Sequence, residues 1–135
     1  MLTVQVNQQL QVVESLNTRS PFPIAIEVRP KSQVESLVAE LTPDTPWGNR
    51  KNAARQLGNL RDPEALPGLL DALVADPFWM VRCAIIQALE MIGDPGSIPT
   101  LQEITRKDSF QVVRSYALKA IERLSYRGQG SVKAR

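Results

Sequence analysis

Histidine is absent from the 135 residues, and cysteine occurs once, as Cys83. The first absence removes the commonest general base and the commonest transition-metal ligand. The second excludes an internal disulfide and a thiolate metal site, and it fits a reducing compartment. Neither GxGxxG nor GxxxxGK[ST] occurs, so the two common phosphate cradles are missing. No apolar run approaches the ~20 residues of a membrane span. The N-terminal MLTVQVNQQLQVV lacks the basic start of a secretory signal. These absences predict a cytoplasmic protein with no catalytic residue, no metal and no cofactor.

Charge is scarce as a global signal. The net value of +2 gives no overall field for nucleic acid. It is unevenly spread, because Lys119, Arg123, Arg127, Lys133 and Arg135 face Glu122 alone near the C-terminus. A nucleic-acid contact through that tail is a minor reading. Hydrophobic residues make up 43%, which suits one domain with a modest core.

What the chain does have is a repeat. Displaced by 32 residues, it overlays Arg50, Arg82 and Arg114, and likewise Asp44, Asp76 and Asp108. Leu57, Leu89 and Ile121 coincide, as do Leu60, Ile92 and Leu124. RDPEALPGLL at 61–70 overlies GDPGSIPTLQ at 93–102. A constant period near 30 with helical spacing inside it predicts a solenoid of helix pairs. Helices of type A are predicted at 46–60, 78–92 and 110–125, with buried stripes such as Ile85, Ile86, Leu89 and Ile92. The equivalent stripes are Ala53, Ala54, Leu57, Leu60 and Ala117, Leu118, Ile121, Leu124. Helices of type B are predicted at 31–42, 63–75 and 95–107, the first with Val34, Leu37, Val38 and Leu41. Gly93 suits a left-handed helix end, Asp94 a cap and Pro95 a first helical position. Pro67 and Pro99 lie too far inside for an ordinary start, so the B helices should open with a loose or kinked turn.

The Asp-x5-Arg at helix A, its L-x2-[LI] ending, the [GR]-D-P turn and the [LI]-P-x-L opening of helix B resemble a HEAT repeat. More narrowly, they resemble the short type named after phycobilisome lyases. The resemblance covers roughly 31–126. It implies an all-α, short right-handed α-solenoid of about three HEAT-like helix pairs with a divergent N-terminal cap. It also implies a non-catalytic scaffold, adaptor or assembly factor acting on phycobiliproteins or photosynthetic complexes. The alternative it carries is a subunit of a bilin lyase heterodimer, with bilin as the bound pigment.

Several positions qualify as sites. Asp44, Asp76 and Asp108 stand where N-caps belong, and Arg50, Arg82 and Arg114 follow one and a half turns later. An active site occurs once, whereas this pair recurs in every unit. It therefore reads as a structural ladder within or between units. Cys83 corresponds to Lys51 and Ser115, so the position tolerates polar chains and lacks a partner base. Trp47, Phe78 and Trp79 open the first two A helices, and Phe78 has a counterpart in Phe110. They either anchor a partner or cover the joint between units. In such a solenoid the B helices would line the concave face, with columns Ser36, Gly68, Thr100 and Ala39, Asp71, Glu103. Small then acidic, these columns suit a protein partner and repel phosphate.

The ends depart from the period. Pro21 and Pro23 forbid a helix where one is due, and Ile24, Ile26 and Val28 alternate as an extended segment would. Residues 7–17 fit a short amphipathic helix. Residues 1–30 thus form an arm or cap, 31–126 the repeat domain and 127–135 a basic flexible tail. The last A helix has no following B helix, so a second copy or another partner could close that end.

Overall fold

The computed structural model describes residues 32–128, with side chains as far as residue 126. The arm over 1–30, its helix at 7–17 and most of the 127–135 tail lie outside the described residues. The described chain is helical throughout, in the order α1 (Gln33–Ala39), α2 (Trp47–Leu60), α3 (Leu66–Ala75), α4 (Trp79–Ile92), α5 (Ile98–Lys107) and α6 (Gln111–Gly128). These form three consecutive pairs, an all-α solenoid. Predicted B helices are α1, α3 and α5, and predicted A helices are α2, α4 and α6. α6 runs on to Gly128 rather than stopping near 125, because no breaker occurs before that glycine.

Local chemistry explains the boundaries. Ser32 and Glu35 make a capping box at α1, its Oγ accepting from the Glu35 N–H at 3.1 Å. Pro63–Ala65 and Pro95–Ser97 form single 3₁₀ turns before α3 and α5, the loose openings that Pro67 and Pro99 require. Asp62 and Asp94 cap those turns by accepting from Glu64 and Gly96, at 2.9 Å and 2.8 Å. Gly93 ends α4 at φ 82, and Arg61 takes the same left-handed place after α2 at φ 54. Arg61 accepts a strained backbone there, and its guanidinium donates to the Met91 carbonyl at 3.0 Å, tying one unit to the next.

The core is one cluster running through all three pairs. Leu57, Leu69, Leu73, Ile85, Ile86, Leu89, Leu101 and Leu124 are among its fully enclosed side chains. Two predicted stripe members fall outside it: Leu60 is 39% exposed and Leu118 57%. Leu60 sits on the last turn of α2, and no described helix packs over Leu118.

The two layers of the stack are packed differently. α2 lies against α4 and α4 against α6 along most of their lengths, whereas α3 and α5 barely touch. Small residues permit the close side. A Cβ on Gly58 would stand 2.9 Å from the Ala88 Cα, so only glycine lets α2 and α4 meet this closely. The layer with the shorter spacing is the inside of a curved stack. The inner layer is therefore α2, α4 and α6, and the expectation that the B helices line the concave face is reversed. Gly68 is corrected with it. A Cβ there would meet Val38 Cγ1 at 2.5 Å, so its smallness serves packing within the stack. Ser36, Ala39, Asp71 and Glu103 are exposed and Thr100 half-buried, all on the splayed outer layer.

Candidate protein-binding surface

The recurring Asp and Arg residues form a ladder that crosses from unit to unit. Arg50 Nε and Nη2 donate to Asp76 Oδ2 and Oδ1 at 2.7 and 3.0 Å, and Arg82 holds Asp108 in the same way at 2.7 and 2.9 Å. Both are bidentate pairs, enclosed on each side. The remaining nitrogen ties each Arg back to the start of its own helix: Arg50 Nη1 to the Thr45 carbonyl at 2.5 Å, Arg82 Nη1 to the Asp76 carbonyl at 3.0 Å.

The capping role predicted for these aspartates needs correction. The N-caps of α2 and α4 are Pro46 and Phe78, and Asp76 and Asp108 terminate α3 and α5. Each accepts from the N–H two residues on, Phe78 and Phe110, at 2.9 Å. The aspartate thus orders the turn between two helices and leaves its outer oxygens for the preceding Arg. Asp44 has no such partner among the described residues and is exposed.

The aromatics bridge units too. Trp47 meets Phe78 edge-on at 4.6 Å, and Trp79 stacks on Phe110 at 5.9 Å with the rings 18° apart. Arg82 also lies over the Phe110 ring, 5.8 Å from its centroid. Phe78 and Trp79 are half-buried in these contacts, while Trp47 and Phe110 keep 45% and 43% of their surface exposed. Trp79 thus belongs to a joint, and of these four Trp47 is the one left most available.

Cys83 is buried on α4. Burial pushes its thiol up to about 11, outweighing the opposing charge of Arg82. A thiol so far from ionisation is a poor nucleophile at neutral pH.

The inner layer carries the surface the sequence reading missed. Its outward-facing columns repeat at the same 32-residue interval: Arg55, Gln87 and Lys119 are all exposed, and Asn59, Met91 and Arg123 follow with Met91 half-buried, while in the column Lys51, Cys83, Ser115 only Ser115 is exposed. Two recesses open between these helices. One of about 510 Å3, between α4 and α6, is lined by Gln87, Glu90, Ser115, Tyr116, Lys119 and Arg123. The other, about 340 Å3 between α2 and α4, has Arg55, Asn59, Gln87, Glu90, Met91 and Arg123. They share Gln87, Glu90 and Arg123, so they adjoin as one furrow across three helices, divided by the Glu90–Arg123 pair. Arg123 donates to Glu90 across α4 and α6, and that bond raises the Arg123 pKa. Arg55 and Lys119 meet no acid among the described residues. The face is positive and mixed, with Val112, Tyr116 and Met91 set beside its cations, not small and acidic. The sequence analysis singled out no column on these helices, because it looked for the groove on the B helices.

On the outer layer, Thr100 and Glu103 line a recess of about 410 Å3 with Val74, Ile104 and Lys107. Glu103 bonds Lys107 and Arg106 on its own helix, and these cations hold its carboxyl below the usual range.

A stack of helix pairs pinned by a repeated ion pair, with an open furrow on its inner face, defines a helical-repeat binding module. Residues 34–122, more than half of the chain, match the family model of HEAT repeats, and the chain belongs to that family. No curated protein and no solved structure matches it. HEAT repeats commonly mediate protein–protein interaction. Among the described residues no helix is long and apolar enough to cross a membrane, and no group of acids and cysteine is arranged to hold a metal.

Proposed function

We propose that the chain is a non-catalytic scaffold or adaptor that takes an acidic segment of another protein along the furrow across α2, α4 and α6. The observation that carries this is the column Arg55, Gln87, Lys119. It sets two cations that meet no acid among the described residues on either side of an amide, on the helices of the inner layer. Exposed cation–carboxylate contacts contribute only ~0.2–1 kcal/mol each. Such a surface selects and orients a partner, and its affinity rests on summing several contacts. Following the resemblance of the repeat to the phycobilisome-lyase type, we place the partner among phycobiliproteins or photosynthetic assemblies.

The test is capture of purified phycobiliprotein, and of a poly-glutamate peptide, by the chain and by its Arg55→Glu/Lys119→Glu variant. Both positions are exposed, so the melting curve should not move. Capture that falls about tenfold in the variant and weakens with salt supports the furrow. Equal capture by both chains removes the furrow from the proposal, and capture of the peptide but not of phycobiliprotein removes that partner. A single-stranded oligonucleotide run in parallel reads out any preference for phosphate.

The larger recess is within the size range of a small-molecule site, which keeps the bilin-lyase subunit as a second reading. Under it, Lys119 in that recess and Arg55 in the adjoining one would hold pigment carboxylates. Titration with free bilin decides: a saturable absorbance shift lost in the same variant favours it, and no shift dismisses it.

A further inference from the structure

Among the described residues the ladder has an unfilled rung at each end. Arg114 is posed as Arg82 is, its Nη1 donating to the carbonyl of Asp108 at 2.6 Å. In Arg82 the other two donors enclose a carboxylate of the following unit. In Arg114 those same donors, Nε and Nη2, meet no acceptor among the described residues. The apolar side of the joint is open as well. Ile86 is 0% exposed beneath α6, while its counterpart Leu118 is 57% exposed and Phe110 43%. At the opposite end Asp44, the counterpart of Asp76 and Asp108, is exposed and meets no Arg among the described residues.

We propose that a second copy of the chain supplies the missing rung, Asp44 of one copy entering the guanidinium fork of Arg114 on another, so that copies stack head to tail. The charges are complementary, and both groups occupy the repeat positions that pair twice within the chain. The joint is weaker than the internal ones. Ala84 and Ala88, which let α4 pack on α2, are replaced in α2 by Asn52 and Gln56. Those larger amides hold the next copy further off, and Leu118 supplies most of the apolar contact. Association is therefore reversible and lowered by salt. Because the two surfaces differ, it does not stop at a dimer.

Sedimentation velocity over rising concentration tests this on the whole chain. The wild-type mass should grow past the dimer and fall with salt. Asp44→Arg alone and Arg114→Asp alone set like charges together and should weaken growth about tenfold or more. An equimolar mixture restores opposite charges at both kinds of joint and should recover it. A wild type that stays monomeric to ~1 mM overturns the proposal, as does growth that halts at a dimer. So does either variant associating like wild type, or a mixture that stays monomeric. Should Arg114→Asp fail to fold, Asp44→Arg must still abolish growth and Asp44→Glu must retain it. The Arg55→Glu/Lys119→Glu chain should associate as wild type, which separates this joint from the furrow.

Discussion

Removing the Asp76 carboxylate perturbs the ladder where it is most enclosed. The Arg50 and Asp76 side chains are 7% and 2% exposed, and Asp76 also accepts the Phe78 N–H. In Asp76→Ala the guanidinium keeps the Thr45 carbonyl, but its Nε and Nη2 are stranded in a site where water has little access. Breaking a buried pair by deleting one partner costs about 3–5 kcal/mol. The retained carbonyl bond and some relaxation place this case near the lower end, about 3 kcal/mol. For a folded region of this size that lowers Tm by about 15 °C. Asp108→Ala should cost less, about 2 kcal/mol, since its pair is slightly more open at 10% and 5%. Asp44→Ala, which breaks no bond among the described residues, should stay within ~0.5 kcal/mol. Urea unfolding followed by far-ultraviolet circular dichroism gives all three values. The order Asp76, Asp108, Asp44 is the claim. Equal losses at the three sites would mean the aspartates act inside their own turns, and the cross-unit account would fail. The double variant Arg50→Met/Asp76→Leu should recover most of the loss, because it leaves no buried charge alone.

Three further outcomes are expected. Ser97 is fully buried and its hydroxyl meets no partner among the described residues, where the preceding unit has Ala65, so Ser97→Ala should raise stability by about 1 kcal/mol in the same unfolding assay. Trp79→Ala removes the stack on Phe110 and should cost about 2 kcal/mol while leaving partner capture unchanged; lost capture at unchanged stability would return Trp79 to the binding surface. Cys83 should resist alkylation in the native chain at neutral pH and react once urea unfolds it. Its folded pKa lies above the unfolded one, so its contribution to stability is complete below about pH 9 and is lost as pH rises toward about 11. A Tm that Cys83→Ala leaves equally pH-dependent across that window would assign the loss to other groups.

The features that follow from a few neighbouring residues were legible in advance. Gly93 and Asp94 close one helix and open the next through their own backbone and side-chain preferences, and Pro99 forces a tight turn before α5 whatever lies nearby. The 32-residue period fixed which positions are equivalent, and hence that Asp and Arg recur as a pair. It could not say which Asp each Arg reaches. A guanidinium one and a half turns into α2 is near its own turn in sequence, but its fork opens toward the next unit, and only the packing of α2 on α4 brings Asp76 there. Leu60 and Leu118 misled for a related reason: helical spacing marks a face as apolar, and burial depends on what is laid against it.

The sequence by itself determined the helix pairs, the turns between them and the family, because each rests on local propensity repeated at a constant interval. Tertiary structure alone decided which layer is the inside. That choice depends on how fully the helices of each layer pack, α4 lying along both α2 and α6 on one side while α3 and α5 barely touch on the other. The closer packing of α2, α4 and α6 makes them the inner layer, and with it the column of Arg55, Gln87 and Lys119 takes the place expected for the acidic groove.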